Sequence, residues 1–270
     1  MRIDAHHHVW RLARGDYHWL TPGSAIGRDF GLDDLRPQLG EISATVLVQA
    51  APTVAETRFL LGVARGSAGL VQAVVGWADL TVPDQVQGLT PDPLLRGLRP
   101  MLQDIAETGW IARDDVAPGL AAMERAGLRL DLLVQPRHLP LLPALAQRHP
   151  MLPLVIDHAA KPGIARGEWQ PWADDIRRAA QETPAFCKLS GLVTEAGTGW
   201  TVTQLRPYVD HLLACFGPAR LMWGSDWPVV TLRAEYQNWR NATAALLDGL
   251  TAPERDDVLG GAATRFYGIT

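Results

Sequence analysis

The sequence predicts an α/β protein, a (β/α)₈ TIM barrel that forms a single domain over residues 1–270. Short apolar runs rich in β-branched residues recur eight times along the chain. Segments with the apolar spacing of surface helices lie between these runs. Strand followed by helix, repeated eight times, is typical of parallel strands that close into a barrel, and 270 residues are enough for one such barrel.

The predicted strands are the apolar runs themselves, each of which closes on a polar or small residue. They cover residues 2–8, 44–50, 71–77, 97–102, 130–135, 154–158, 185–190 and 221–225. Surface helices are predicted at residues 54–64, 116–126, 139–148 and 172–181. Long connections follow the strands at 11–36, 161–172 and 194–203, so we expect these segments to surround the catalytic end of the barrel.

An open, doubly wound sheet is the alternative architecture, because it also alternates strands and helices. That fold is expected to carry a Gly-x-Gly-x-x-Gly turn after an early strand, where the glycines let the backbone approach a dinucleotide. The sequence has no such turn. The closed barrel is therefore the preferred prediction.

Composition points to an ordinary globular protein with a small-molecule partner. Apolar residues make up 47% and charged residues 20%, and the net charge of −4 gives no reason to expect nucleic acid or an anionic membrane as partner. No apolar run approaches the length of a membrane span, and we expect no secretory leader. Cys187 and Cys215 suggest no disulfide framework, which favours a reducing compartment. We expect a cytoplasmic monomer or homodimer.

The first strand carries the most informative motif, Asp-Ala-His-His-His-Val-Trp at residues 4–10. Side chains two residues apart on a strand share a face, so His6 and His8 should point into the barrel and His7 toward the helices. Imidazole ligates Zn²⁺ and also donates hydrogen bonds to a developing oxyanion. The pair therefore suits either a metal site or a metal-free electrophilic site; a core histidine or a chance His-x-His pair is the structural alternative.

Two further side chains are predicted at the same rim of the barrel. The last apolar run ends in Gly-Ser-Asp, which delivers the carboxylate of Asp226 to the carboxyl end of strand eight. Strand eight neighbours strand one in a closed barrel, so Asp226 should approach His6 and His8, unless it merely caps the following helix. His158 ends strand six and could bind a carbonyl oxygen, share in metal binding or anchor a loop.

Polar residues and a tryptophan also stand at or near other strand ends, where folding alone does not require them. A small polyhydroxylated substrate needs such a ring of hydrogen-bond donors and acceptors, although each residue is also compatible with an ordinary solvated rim. Ten tryptophans are a weak further indication of sugar binding, because the flat ring suits a sugar face. The predicted substrate-binding residues are Gln49, Trp77, Arg99, Gln135, Lys161, Lys188 and Glu195.

Seven segments together resemble the amidohydrolase superfamily, amidohydrolase-2 type, and within it the metal-optional sugar lactonases such as the L-fuconolactonases and L-rhamnonolactonases. The segments are DAHHHVW (4–10), ARGDYHWL (13–20), VGWADL (75–80), GLRPMLQDI (97–105), IDHAAKP (156–162), CKLSGLVTEA (187–196) and FGPARLMWGSDWP (216–228). They extend over nearly the whole chain. The His-x-His pair with Gly-Ser-Asp-Trp-Pro is typical of the superfamily, and the seventh-strand segment points to the lactonase branch.

The resemblance implies a hydrolase that opens an aldonolactone, such as L-fucono-, L-rhamnono- or L-galactonolactone, to the aldonic acid. It implies His6, His8, His158 and Asp226 as the catalytic cluster. The sequence departs from the dinuclear pattern of the superfamily, because strand five ends in Gln135 instead of histidine and strand four places no bridging lysine. A two-metal site is therefore not expected. One divalent ion, preferably zinc, held by His6, His8 and Asp226 is one expectation, and a metal-independent site is the other.

The expected mechanism uses Asp226 as a general base that activates water for attack on the lactone carbonyl. His6, His8 and His158, or a metal that they hold, would polarise that carbonyl. Three alternatives stay open from the sequence. They are a metal-dependent decarboxylase of the same superfamily, a Schiff-base aldolase that uses Lys188, and a non-catalytic sugar-binding barrel.

Overall fold

The computed structural model describes residues 1–21 and 23–270 and confirms the predicted barrel. Eight parallel strands form one sheet in chain order, so each strand pairs with the next along the sequence. The strands are β1 Ile3–His7, β2 Ala44–Val48, β3 Val71–Gly76, β4 Leu95–Leu98, β5 Arg129–Leu132, β6 Leu154–Ile156, β7 Phe186–Leu189 and β8 Leu221–Trp223.

Backbone hydrogen bonds close the barrel between the first strand and the segment that follows β8. The amide of Asp226 donates to the carbonyl of His6 at 2.8 Å, and the amide of His8 donates to the carbonyl of Trp227 at 2.7 Å. The predicted adjacency of strands one and eight is thus present. It fixes the backbone of Asp226 directly beside the histidines of β1.

Helices cover the outside of the sheet. They are α1 Leu32–Leu35, α2 Val54–Arg65, α3 Pro83–Leu89, α4 Ala117–Arg125, α5 Leu142–Arg148, α6 Trp172–Glu182, α7 Leu192–Ala196, α8 Val202–Phe216, α9 Tyr236–Leu246, α10 Ala252–Asp256 and α11 Ala262–Tyr267. The four predicted helices correspond to α2, α4, α5 and α6. No helix in the described part of the chain has the length and apolar character needed to cross a bilayer.

Proline lies near the three largest differences between predicted and observed ends of strands and helices. The fourth strand runs over Leu95–Leu98 instead of 97–102, and it ends early because Pro100 has no N–H to donate to the ladder. The fifth strand ends at Leu132, before the 3₁₀ turn Pro136–Leu141. The 3₁₀ turn includes residues 139–141, which were predicted to begin the helix at 139–148. The helix α5 therefore begins only at Leu142.

The register of β1 against β2 shifts between Asp4 and His7. Such a bulge re-aims side chains and is common beside active sites. It lets Ala5 join the apolar cluster inside the barrel while His6 also faces the interior. His7 turns away as predicted and places its Nε2 atom 2.9 Å from the hydroxyl of Thr45.

Candidate active site

Three imidazole rings converge on the carboxylate of Asp226 at the mouth of the barrel. The Nε2 atoms of His6, His8 and His158 lie 3.8, 3.4 and 3.9 Å from its Oδ1 atom. All four side chains are buried. The structure therefore brings together the four residues that the sequence assigned to the catalytic cluster, although they come from three strand ends far apart in the chain.

A hydrogen bond at the other ring nitrogen orients two of these imidazoles. His8 Nδ1 lies 2.8 Å from the carbonyl oxygen of Val48, so its Nε2 atom faces Asp226. His158 Nδ1 lies 2.8 Å from the hydroxyl of Ser190, which directs the second nitrogen of that ring to the same carboxylate. The rings are thus held by the neighbouring strand ends before any ligand arrives.

The backbone of this region is strained. The four consecutive residues from His158 to Lys161 are not glycine and have φ between 51° and 59°. Asp226 has φ 59°. The left-handed region costs about 1–2 kcal/mol for each such residue. Strain of this kind is concentrated at functional sites, where the surrounding structure maintains it. Here it turns His158 and Lys161 from the end of β6 toward Asp226.

The electrostatics of the cluster favour an ionised carboxylate beside neutral imidazoles. Burial opposes ionisation of Asp226, but His158, His8 and Lys161 together lower its pKa below the usual value. Burial lowers the pKa of His158 to about 4, and burial together with Lys188 holds the pKa of His6 well below its usual range. Near neutral pH the site therefore offers a base beside the uncharged rings of His6 and His158.

A layer of buried charges lies beneath His6. The ammonium of Lys188 is 2.5 Å from Asp131 Oδ2, 3.0 Å from Asp157 Oδ1 and 3.2 Å from His6 Nδ1. Arg99 lies 3.1 Å from the other oxygen of Asp157. Two cations thus balance two carboxylates away from water, which is the condition under which buried charges are tolerated.

A cavity of about 250 Å³ opens above the cluster. It is lined by His8, Trp19, Ala50, Arg99, Met101, Gln103, Asp104, Leu133, His158, Lys161, Asp226 and Val229. A second cavity of about 610 Å³ adjoins it through Gln103, Asp104 and Lys161, and Gln135 and Glu195 line that second space. The fully buried His6 lies below the first cavity and does not line it.

Comparison with known proteins assigns the family. Residues 3–269 match the amidohydrolase family of the second type. The chain belongs to this family. The resemblance predicted from the seven sequence segments is thereby confirmed.

Relatives of this amidohydrolase are similar over its whole length. An L-fucono-1,5-lactonase of Burkholderia ambifaria is 44% identical over 99% of this chain and 96% of the relative. An L-fucono-1,5-lactonase of Burkholderia multivorans is 37% identical over 100% of this chain and 96% of the relative. The crystal structure of an amidohydrolase from Burkholderia multivorans with bound zinc has a TM-score of 0.95 and 36% identity, and the match covers 100% of both chains.

The donor set of the amidohydrolase fits one zinc ion. His6 Nε2, His8 Nε2 and Asp226 Oδ1 lie 3.2, 3.4 and 3.8 Å apart in pairs. Nitrogen and oxygen ligands about 2.0–2.2 Å from a tetrahedral zinc stand at roughly such separations. The hydrogen bond from His8 Nδ1 to a backbone carbonyl is also the usual support of a zinc-bound histidine.

Three of the predicted substrate-binding residues lie outside both cavities of the amidohydrolase. Lys188 is fully buried between two carboxylates, and its role in binding substrate or forming a Schiff base stays a prediction. Gln49 is also fully buried, and its amide donates to the carbonyl of Arg99 at 2.8 Å. Trp77 is half-buried and lines neither space. Arg99, Lys161, Gln135 and Glu195 do line the cavities.

Several residues of the site escaped sequence reasoning. Asp131 and Asp157 each stand in or directly after an apolar strand, and a carboxylate in such a run signals a buried cation nearby. Trp19, Gln103 and Asp104 lie on connections between elements, where no periodicity indicates which side chains face the cavity. Only Asp131 and Asp157 could therefore have been found from the sequence.

Gly224 directly follows β8, and its lack of a side chain allows the close approach of His6 on β1. A Cβ atom at Gly224 would lie 2.6 Å from the Cβ and 3.0 Å from the amide nitrogen of His6. We expect Gly224→Ala to lower the free energy of unfolding by about 1–3 kcal/mol, because the two strands must separate, and to reduce kcat. Urea unfolding measures the first effect and initial rates the second.

Gly62 in α2 provides the matched control, because a Cβ there meets nothing within 4 Å. Gly62→Ala should leave activity unchanged and should slightly stabilise the helix. A Gly224→Ala variant with unaltered stability would contradict the close approach of β1 and β8.

Proposed function

We propose that this amidohydrolase is a sugar lactonase that hydrolyses an aldonolactone of the L-fucono-1,5-lactone type to the aldonic acid. One observation carries the proposal. The carboxylate of Asp226 stands among three imidazoles and lines a cavity, in a chain 44% identical over 99% of its length to an L-fucono-1,5-lactonase. A lactonase is a hydrolase that acts on a cyclic ester, and such a reaction needs a base for water and donors for an oxyanion.

Asp226 acts as the general base. Its lowered pKa keeps it ionised near neutral pH, and its side chain lines the cavity. The carboxylate takes a proton from water while the water oxygen bonds to the lactone carbonyl carbon. When the ring carbon–oxygen bond breaks, the proton passes to the departing ring oxygen, which leaves the hydroxyl of the open aldonic acid.

His158 and Lys161 are the groups placed to stabilise the oxyanion, because both line the cavity next to Asp226. His6 was expected to contact the carbonyl directly, but it lies below His8 and out of the cavity. Its role in this proposal is to hold the positions of His8 and Asp226. Gln135 and Glu195 in the adjoining cavity are available for the hydroxyl groups of the sugar.

A divalent metal would be held by His6, His8 and Asp226. When bound, it would supply Lewis-acid polarisation of the carbonyl. The residues of the chain provide a base and donors of their own, so we propose a reaction that metal assists without being required.

A pH-indicator assay across lactones tests the proposed function. L-Fucono-, L-rhamnono- and L-galactonolactone would be compared with D-glucono-1,5-lactone, using enzyme as purified and after chelation. We expect at least one L-sugar lactone to give kcat/KM above about 10⁴ M⁻¹s⁻¹, within the usual range of enzymes. Rates no faster than spontaneous hydrolysis for every lactone would reject the proposal. Release of CO₂ from an aromatic acid would favour the decarboxylase alternative.

A further inference from the structure

We propose that Asp4 is a positioning residue that fixes the strained segment carrying Asp226 against β1 and thereby sets the geometry between the base and the imidazoles. The inference rests on the proposed function in taking Asp226 as the base. Asp4 lies on β1 and lines neither of the two cavities at the barrel mouth. Its carboxylate is nevertheless fully buried, which is costly unless hydrogen bonds compensate.

The first step follows from the contacts of that carboxylate. Asp4 Oδ1 accepts a hydrogen bond from the amide of Ser225 at 2.8 Å and one from the amide of His6 at 3.2 Å. A backbone N–H only donates, so the direction of both bonds is settled. The hydroxyl of Tyr236 on α9 donates to Oδ2 at 3.1 Å. Asp4 therefore joins β1 to α9 and to the segment that follows β8.

The second step concerns the amides of the segment that carries the base. The amides of Gly224 and Asp226 donate to backbone carbonyls of β7 and β1. The amide of Ser225, which lies between them, donates to the side chain of Asp4 instead. Ser225 is fully buried, and a buried amide without a partner costs about as much as a lost hydrogen bond. The carboxylate of Asp4 thus stabilises this path of the backbone.

The third step concerns the conformation at the base itself. Asp226 has φ 59°, in the left-handed region that non-glycine residues rarely adopt. Such a conformation persists only where the surrounding structure over-determines it. Asp4 constrains the residue immediately before Asp226, and the same oxygen atom also holds the amide of His6. One oxygen therefore fixes both backbones that place His6 Nε2 3.8 Å from Asp226 Oδ1.

Loss of Asp4 should act on catalysis through the position of Asp226. A displacement of about 1 Å in a catalytic group can cost about 10²-fold in rate. Asp4→Ala removes the acceptor of both amides, so we expect kcat for the best lactone of the panel to fall by about 10²-fold. KM should change much less, because Asp4 does not line the cavity. Asp4→Asn keeps an oxygen for the two amides and should recover most of the lost activity.

Tyr236→Phe is the matched control, because it removes the contact to Oδ2 and leaves both amides on Oδ1. Asp4→Ala and Tyr236→Phe should both unfold at lower urea concentration than the wild type, but only Asp4→Ala should lose most of its kcat. Equal losses of kcat in these two variants, wild-type kcat in folded Asp4→Ala, or an Asp4→Asn enzyme as slow as Asp4→Ala would overturn the inference. Wild-type turnover is measured in the same assay, so failure of the lactonase proposal is distinguishable.

A second measurement needs neither turnover nor a variant. In wild-type protein labelled with ¹⁵N and ¹³C, a long-range HNCO spectrum should show coupling from the amide nitrogen of Ser225 to the side-chain carboxyl carbon of Asp4. That coupling reports the hydrogen bond on which the positioning depends. Its absence would overturn the inference even if Asp4→Ala failed to fold or no lactone were hydrolysed.

Discussion

Asp226→Asn should lower kcat for lactone hydrolysis by about 10³-fold, the usual contribution of a general base. An amide has the shape of the carboxylate but cannot take a proton from water. The backbone bond from residue 226 to the carbonyl of His6 would remain, and asparagine tolerates the left-handed φ of 59° that Asp226 adopts. Activity should therefore be lost from a protein that is still folded. Initial rates and a urea unfolding curve measure the two properties.

Metal chelation separates the role of Asp226 as base from a role as ligand. If Asp226 acts as the base, the loss in Asp226→Asn should persist when wild type and variant are both compared after chelation. Asp210→Asn on the exposed face of α8 is the control and should keep wild-type rates. A chelated Asp226→Asn enzyme with near-normal turnover would remove Asp226 from the mechanism.

His158→Leu should lower kcat by about 10²-fold, the usual cost of losing one oxyanion donor, with a smaller change in KM. Leucine fills much of the space of the ring but offers no N–H to the developing oxyanion. The pKa of His158, lowered to about 4 by burial, means that the neutral ring is the acting form at pH 7. Steady-state kinetics on the best substrate of the lactone panel measure the effect.

Two further variants distinguish a hydrogen-bond donor role of His158 from a packing role. His158→Gln retains an N–H group near the same place and should lose less activity than His158→Leu. His211→Gln changes a histidine on α8 that contacts the carbonyl of Ala173, away from the cavity, and should leave kcat unaltered. Equal losses in the glutamine and leucine variants of His158 would indicate a packing role instead of a donor.

Much of the fold follows from short-range pattern. Eight apolar runs with helical segments between them were enough to predict the barrel, because the spacing of apolar residues reports which face of each element is buried. Strand ends were less accurate where proline intervenes, as at Pro100. The bulge between Asp4 and His7 had no sequence signal, since it depends on how β1 aligns with β2.

The sequence by itself determined that His6, His8, His158 and Asp226 meet at one rim, because strand ends of a closed parallel barrel all face the same side. Only the tertiary structure decided that His6 lies below the cavity and that Lys188 is held between Asp131 and Asp157. Lys188 and Asp131 are 57 residues apart, and whether such groups meet depends on strand register and side-chain reach. Periodicity specifies which face of a strand a residue occupies. Which side chain it contacts on that face depends on packing across strands.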